Sequence, residues 1–183
     1  MSYIFKYQTY LCLLFAVSCL ACSTSQEVEE SDQTITTEVS LTEGTNMAAA
    51  LSPDSSTLAL DLQGTIWLMP AEGGTASPIT DGLGDCHEPA WSPDGEKLAF
   101  HSYKSGNYHI WTVNRDGSNL TQITSGIYDD REPHWAPDGQ SIVFSSDRNG
   151  NYDIWKVTLA DLSVQALTSN PANEYHPAFA PDG

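Results

Sequence analysis

The apolar residues of this chain fall in short runs bounded by Gly, Pro, Asp and Asn, without the three-and-four spacing of a helix. Leu98-Ala99-Phe100, Ile142-Val143-Phe144 and Ile66-Trp67-Leu68-Met69 show little polar alternation, as strands buried on both faces do. Turn sequences separate the runs: Ser92-Pro93-Asp94-Gly95, Lys104-Ser105-Gly106-Asn107 and Arg115-Asp116-Gly117. In Ser-Pro-Asp-Gly the proline fixes φ at the first central position, aspartate favours the second, and glycine takes the left-handed site. This pattern predicts strands over Glu88–Ser92, Lys97–Ser102, Tyr108–Asn114 and Asn119–Thr124.

The pattern recurs. "EPAWSPDGEKLAF" at 88–100 returns as "EPHWAPDGQSIVF" at 132–144, and "HPAFAPDG" at 176–183 opens a third copy, each step being 44 residues. A fainter copy, "AALSPDSSTLAL", begins near Ala49. Trp67, Trp111 and Trp155 each lie 24 residues before Trp91, Trp135 and Phe179. The first unit lacks four residues in one loop, since Leu58 to Trp67 is 9 residues where Leu98 to Trp111 and Ile142 to Trp155 are 13. It also carries Ser55 where the others have Gly95 and Gly139. Keeping the left-handed conformation there costs about 1 kcal/mol.

A repeat of this length means that one supersecondary unit is stacked. Four-stranded sheets that need cover on both faces satisfy that need by packing face to face around an axis, as propeller blades do. A β-sandwich would not require the repeat. The phrase Trp-Ser-Pro-Asp-Gly, then Leu-Ala-Phe, Asn-x-x-Ile-Trp and a closing Leu-Thr or Ile-Thr, resembles the TolB-type, WD-like propeller repeat over Gly44 to Gly183. The expectation is an all-β fold: an incomplete β-propeller of four-stranded antiparallel blades at about 44–84, 85–128 and 129–172, with the first strand of a fourth from 173. On this reading the chain is a truncated part of a longer polypeptide.

Charge narrows the partners. Lys plus Arg is 7 and Asp plus Glu is 24, a formal charge of -17. Such a surface repels phosphate backbones, which excludes nucleic acid, and opposes direct docking on anionic lipid. The N-terminus has Lys6 followed by an apolar run of 11 residues, Leu11–Ala21, right for a signal h-region and too short to span a bilayer. "SCLACSTSQ" resembles a bacterial lipoprotein cleavage box, with Cys22 as the lipid acceptor and Cys19 as the alternative. An ordinary cleaved signal peptide is the other reading. Residues 1–22 are thus a lipoprotein-type signal peptide. Residues 23–43, polar and acidic, have the composition of a disordered tether. Export to the periplasm, with membrane attachment only through the lipid, follows. Cys86 is the one cysteine of the folded part, so no intrachain disulfide is possible there.

The sequence contains no nucleophile elbow, P-loop or dinucleotide fingerprint. Gly82-Leu83-Gly84 reads as a loop between blades. The five histidines, His87, His101, His109, His134 and His176, make no His-x-His pair and read as surface or channel groups without metal; His101 and His109 flank one hairpin. Asp147, Asn149, Asn151 and Asp153 alternate as oxygen ligands for calcium would. The matching slots of the preceding unit hold Tyr103, Ser105, Asn107 and His109, and a polar hairpin with an Asp–Arg148 contact is the plainer reading. The set preceding each innermost strand is more informative. Asp85, His87 and Glu88 match Asp129, Arg131 and Glu132, and Asn173, Tyr175 and His176 follow. In a propeller these surround the mouth of the channel, where they would line a solvated rim or hold a cation or a basic peptide.

Three functions compete. A TolB-type resemblance implies a stand-alone periplasmic module docking envelope proteins or peptides. "EGTNMAAALSPD", "LDLQGTIWLMPAEGG", "GLGD" and "YDDREPHWAPDG" are similar to the propeller that precedes a metal-dependent amidohydrolase domain in some secreted bacterial proteins. That resemblance implies a catalytic domain beyond residue 183, with a divalent metal such as zinc bound only there and no cofactor or catalytic residue in these residues. Its partner would be its own missing C-terminal domain. A propeller capping a serine peptidase is a third, less similar, case.

Overall fold

The computed structural model describes residues 3–9, 35–41, 47–180 and 182. Two units separate, Met1–Glu43 and Gly44–Gly183. In the first, β1 (Tyr3–Thr9) pairs antiparallel with β2 (Ile35–Leu41). The tether reading foresaw no strand at 35–41. Its β-branched content, Ile35-Thr36-Thr37 and Val39, suits one. The h-region, Cys19 and Cys22 lie outside the described residues.

The second unit is all-β among the described residues and holds three four-stranded sheets, each a sequential antiparallel meander. The first is β3 (Ala49–Leu51), β4 (Thr57–Leu62), β5 (Thr65–Pro70) and β6 (Ser77–Pro78). The second is β7 (Cys86–Trp91), β8 (Lys97–Ser102), β9 (His109–Asn114) and β10 (Thr121–Gln122). The third is β11 (Asp130–Trp135), β12 (Ser141–Ser146), β13 (Asp153–Thr158) and β14 (Val164–Ala166). The repeat tryptophans occupy one cross-strand position: Trp67 faces Leu60, Trp111 faces Phe100 and Trp155 faces Phe144. The outermost strands are shorter than the pattern predicts, β10 covering two residues of the expected Asn119–Thr124.

The core lies between sheets. Ala59 and Ile66 of the first meet Trp91, Leu98, Phe100 and Val113 of the second. Ala99 and Ile110 of the second meet Trp135, Ile142, Phe144 and Val157 of the third. The middle sheet is therefore buried on both faces, which explains its unalternated apolar strands.

The Ser-Pro-Asp-Gly turn is a small hydrogen-bonded unit. Ser92 Oγ donates to Asp94 Oδ1 at 2.6 Å, the Lys97 amide donates to Ser92 Oγ at 2.9 Å, and the Gly95 amide donates to the Ser92 carbonyl at 2.9 Å. The Ser92 hydroxyl and the Glu96 amide hold the Asp94 carboxyl below its ordinary range. Gly95 and Gly139 have φ of 72° and 69°, and Ser55 takes the same conformation at 59°. Gly84, in the loop between β6 and β7, leaves room for its neighbours: a Cβ there would lie 2.9 Å from Cys86 Sγ and 3.0 Å from Ser102 Oγ.

Candidate functional site

The innermost strands β3, β7 and β11 form one wall, and a proline shapes two of them. Pro89 and Pro133 cannot donate to the ladder, so Glu88-Pro89 and Glu132-Pro133 bulge out, opposing a single residue of β8 or β12. The residue before each proline is pushed out of the right-handed helical region. Glu88, Glu132 and His176, which precedes Pro177, have φ of 53°, 58° and 52°. The first sheet has no proline there, and β3 pairs with β4 without a register shift.

Each bulge exposes an amide, and the preceding sheet supplies the acceptor. The Glu88 amide donates to Asp61 Oδ2 at 2.8 Å, and the Glu132 amide to His101 Nδ1 at 3.4 Å. Ser145 occupies the third slot and is too short. Glu132 itself fills the gap: its Oε2 accepts from Ser145 Oγ and from the His176 amide, both at 2.7 Å. Asp61, His101 and Ser145 thus form an inter-sheet latch. All three are buried.

The wall is a groove of about 590 Å³, lined on its apolar side by Trp91, Trp135, Phe179 and a file of prolines. The charged groups facing it are Glu88 and Glu132, beside His134 and His176. Ligand atoms of Glu88, Glu132 and His176 lie within 4.8 Å of one another, Glu132 Oε1 standing 3.6 Å from His176 Nε2. Burial, then the Glu132 charge, raises the Glu88 carboxyl.

The remaining rim residues form a second, linked line. His87 stands between two carboxylates, Nδ1 3.6 Å from Asp61 and Nε2 3.0 Å from Asp85. Asp61 most, and then Asp85, raise the imidazole against the opposing effect of burial. Burial alone would raise Asp61; His87 and the amides of Glu88 and Ala48 outweigh it and hold the carboxyl low. Asp85 accepts from the Tyr108 hydroxyl at 2.6 Å. The Arg131 guanidinium sits 4.1 Å from the Tyr108 ring centroid and donates to Asp129 at 3.0 Å. Burial pulls the His101 imidazole down to about 3, aided by the charges of His87 and Arg131, so it is neutral and able to accept the Glu132 amide.

The seven rim residues expected from sequence are therefore brought into two neighbouring layers. One is Glu88, Glu132 and His176; the other is Asp85, His87, Asp129 and Arg131. The calcium pattern distributes differently. Asp147 Oδ1 accepts the Asp129 amide at 3.0 Å, Asp153 Oδ1 accepts the Asn170 amide at 2.9 Å, Asn151 donates to the Asn170 carbonyl at 2.8 Å, and Asn149 is exposed. Arg148 pairs with Asp130 on the preceding strand and not within its own hairpin, at 3.2 and 2.6 Å. His101 approaches His87, with ring centroids 5.6 Å apart, while His109 lies 3.5 Å from Asp130. Cys86 is a buried free thiol, raised first by that burial. Sequence reasoning missed Asp61, His101 and Tyr108. The signal for the first two was a polar residue recurring in one slot of an otherwise apolar strand.

Three four-stranded sheets nested face to face, with their first strands along one wall, define an incomplete β-propeller. The family model for the TolB beta propeller domain matches residues 26–125 and 64–183, and the chain belongs to that family. Among solved structures it is similar to a putative TolB from Agrobacterium tumefaciens, 28% identical with a TM-score of 0.69, covering 74% of this chain and 50% of that one. TolB from Acinetobacter baumannii is also 28% identical, with a TM-score of 0.63 over 75% of this chain and 36% of that one. A puromycin-hydrolyzing peptidase of Mycobacterium tuberculosis, 22% identical with a TM-score of 0.55 over 67% of this chain and 23% of that one, shares the fold. No curated protein matches. The chain spans half or less of each of these solved chains.

Proposed function

We propose that the chain is the non-catalytic propeller region of an exported bacterial protein, and that its inner wall receives an extended segment of a protein partner. The groove of about 590 Å³ carries this reading. It offers aromatic and proline surface with few convergent polar groups, the character of a recognition cleft. With a chain charge of -17 and no Lys or Arg facing the groove, the segment it suits is apolar with a basic residue. The resemblance to TolB-type envelope proteins supports a protein partner in the periplasm. The apolar run Leu11–Ala21 and Cys22 support export and a lipid tether.

The finer reading places this region ahead of a metal-dependent amidohydrolase domain in the same polypeptide. Its support is the phrase from Glu43 to Asp54 with the "GLGD" and "YDDREPHWAPDG" segments. On this reading residues 1–183 alone are expected to carry out no metal-dependent amide hydrolysis.

A photo-crosslinking residue at Ala180, on the groove, tests the binding reading against one at Glu72, an exposed loop position outside its lining. The expected result is a protein adduct from Ala180 alone. Adducts from neither position, or equally from both, reject it. Cell fractionation of Cys22→Ala tests the tether: the variant should leave the membrane fraction.

A further inference from the structure

We propose that Glu88, Glu132 and His176 hold a divalent first-row transition-metal cation of the zinc type. The three residues occupy the same slot of successive repeats, each precedes a proline, and all three share a left-handed φ. Their ligand atoms lie within 4.8 Å of one another. Zinc-bound oxygen and nitrogen atoms in a tetrahedron are separated by about 3.3 Å, given metal–ligand distances near 2.1 Å. Side-chain rotation closes that gap, and His176, with 72% of its side chain exposed, is unconstrained by packing.

Glu132 is already positioned for the task. Its Oε2 is committed to Ser145 Oγ and the His176 amide, which fixes the carboxylate and leaves Oε1 toward His176 Nε2 at 3.6 Å. Such a hydrogen-bonded ligand carboxylate is what a metal site uses to orient its donors. The charge is also unbalanced. No Lys or Arg lines the groove, so no fixed cation offsets Glu88 and Glu132. Two carboxylates with an imidazole form a mixed oxygen and nitrogen donor set. That set favours transition metals over calcium, which takes oxygen ligands alone. This site does not depend on the protein-binding reading.

The test is calorimetric titration of the full chain with zinc chloride, with Cys12, Cys19 and Cys22 changed to Ser in every arm so that their thiolates do not compete. One zinc per chain is expected, weakened at least about tenfold in His176→Ala and in Glu88→Gln. Glu72→Gln, outside the groove lining, should bind as the parent does. Circular dichroism confirms that each variant is folded; should Glu88→Gln unfold, the exposed His176→Ala carries the test. Three results overturn the proposal: no saturable zinc uptake, unchanged affinity in His176→Ala, or equal loss in Glu72→Gln. A parallel calcium titration that reports tighter binding than zinc would also overturn it.

Discussion

The indole N–H of Trp135 donates to the carbonyl of Ala90 at 3.1 Å, across the boundary between the second and third sheets. Trp91 repeats the bond one sheet earlier, to Ala50 at 3.1 Å. The tryptophan of the repeat is therefore a cross-sheet tie as well as core. Phe179 stands in the same slot of the next repeat and has no such donor. Trp135→Phe keeps an aromatic side chain but removes the bond and one ring of the indole. Urea unfolding should show a loss of at least about 1 kcal/mol, the net worth of a neutral hydrogen bond, with lost packing adding to it. An unchanged midpoint would mean that the tie contributes nothing to stability.

Asp130 is fully buried and depends on Arg148. The two-pronged contact crosses from the β12–β13 turn to the first strand of the same sheet, with His109 of the middle sheet 3.5 Å away. Removing one member of a buried pair leaves the other charge without compensation. Arg148→Met should destabilise the protein by about 3–5 kcal/mol in urea melts. The double variant Arg148→Met with Asp130→Asn should recover part of that loss, because neither charge then remains buried.

The architecture was legible because the spacing of Trp67, Trp111 and Trp155 is the spacing of one cross-strand slot, opposite Leu60, Phe100 and Phe144. A constant interval in sequence becomes a constant place in a stacked sheet. The rim was legible for the same reason: Glu88, Glu132 and His176 share a slot. Their left-handed backbone was not, since that conformation usually signals itself through glycine. The following proline, present at 89, 133 and 177 and missing from the first unit, disfavours the right-handed helical region but does not by itself select the left-handed one. The latch escaped notice because Asp61, His101 and Ser145 differ in chemistry and share only position. Likewise, the partner of Arg148 could not be read from its hairpin, because Asp130 reaches it through sheet pairing.

Ser55 offers a direct check on the turn. Its φ of 59° matches that of Gly95 and Gly139, so a side chain is being held where glycine belongs. Ser55→Gly removes the left-handed cost but gives the unfolded chain more freedom. The first term is about 1 kcal/mol and the second is smaller, so a net gain of about 0.5 kcal/mol is expected in chemical denaturation. Gly95→Ala should move the other way, by about 1 kcal/mol or more.

Tyr108 gives the clearest dependence on pH. Its hydroxyl donates to Asp85 at 2.6 Å, and the phenol is pushed up to about 12, first by that bond and then by burial and the Asp85 charge. The folded state thus holds the proton more tightly than the unfolded chain, where tyrosine titrates near 10. The resulting stabilisation is complete below about pH 10 and is lost as pH rises toward 12. The melting temperature of the parent should therefore exceed that of Tyr108→Phe at pH 8, with the gap closing above pH 10. In Asp85→Ala, ultraviolet difference titration should place Tyr108 ionisation back toward the ordinary phenol value, because the acceptor that favoured the protonated form is gone. A gap that persists to pH 12, or a titration unmoved by Asp85→Ala, would mean that the hydroxyl's contact with Asp85 does not govern its ionisation.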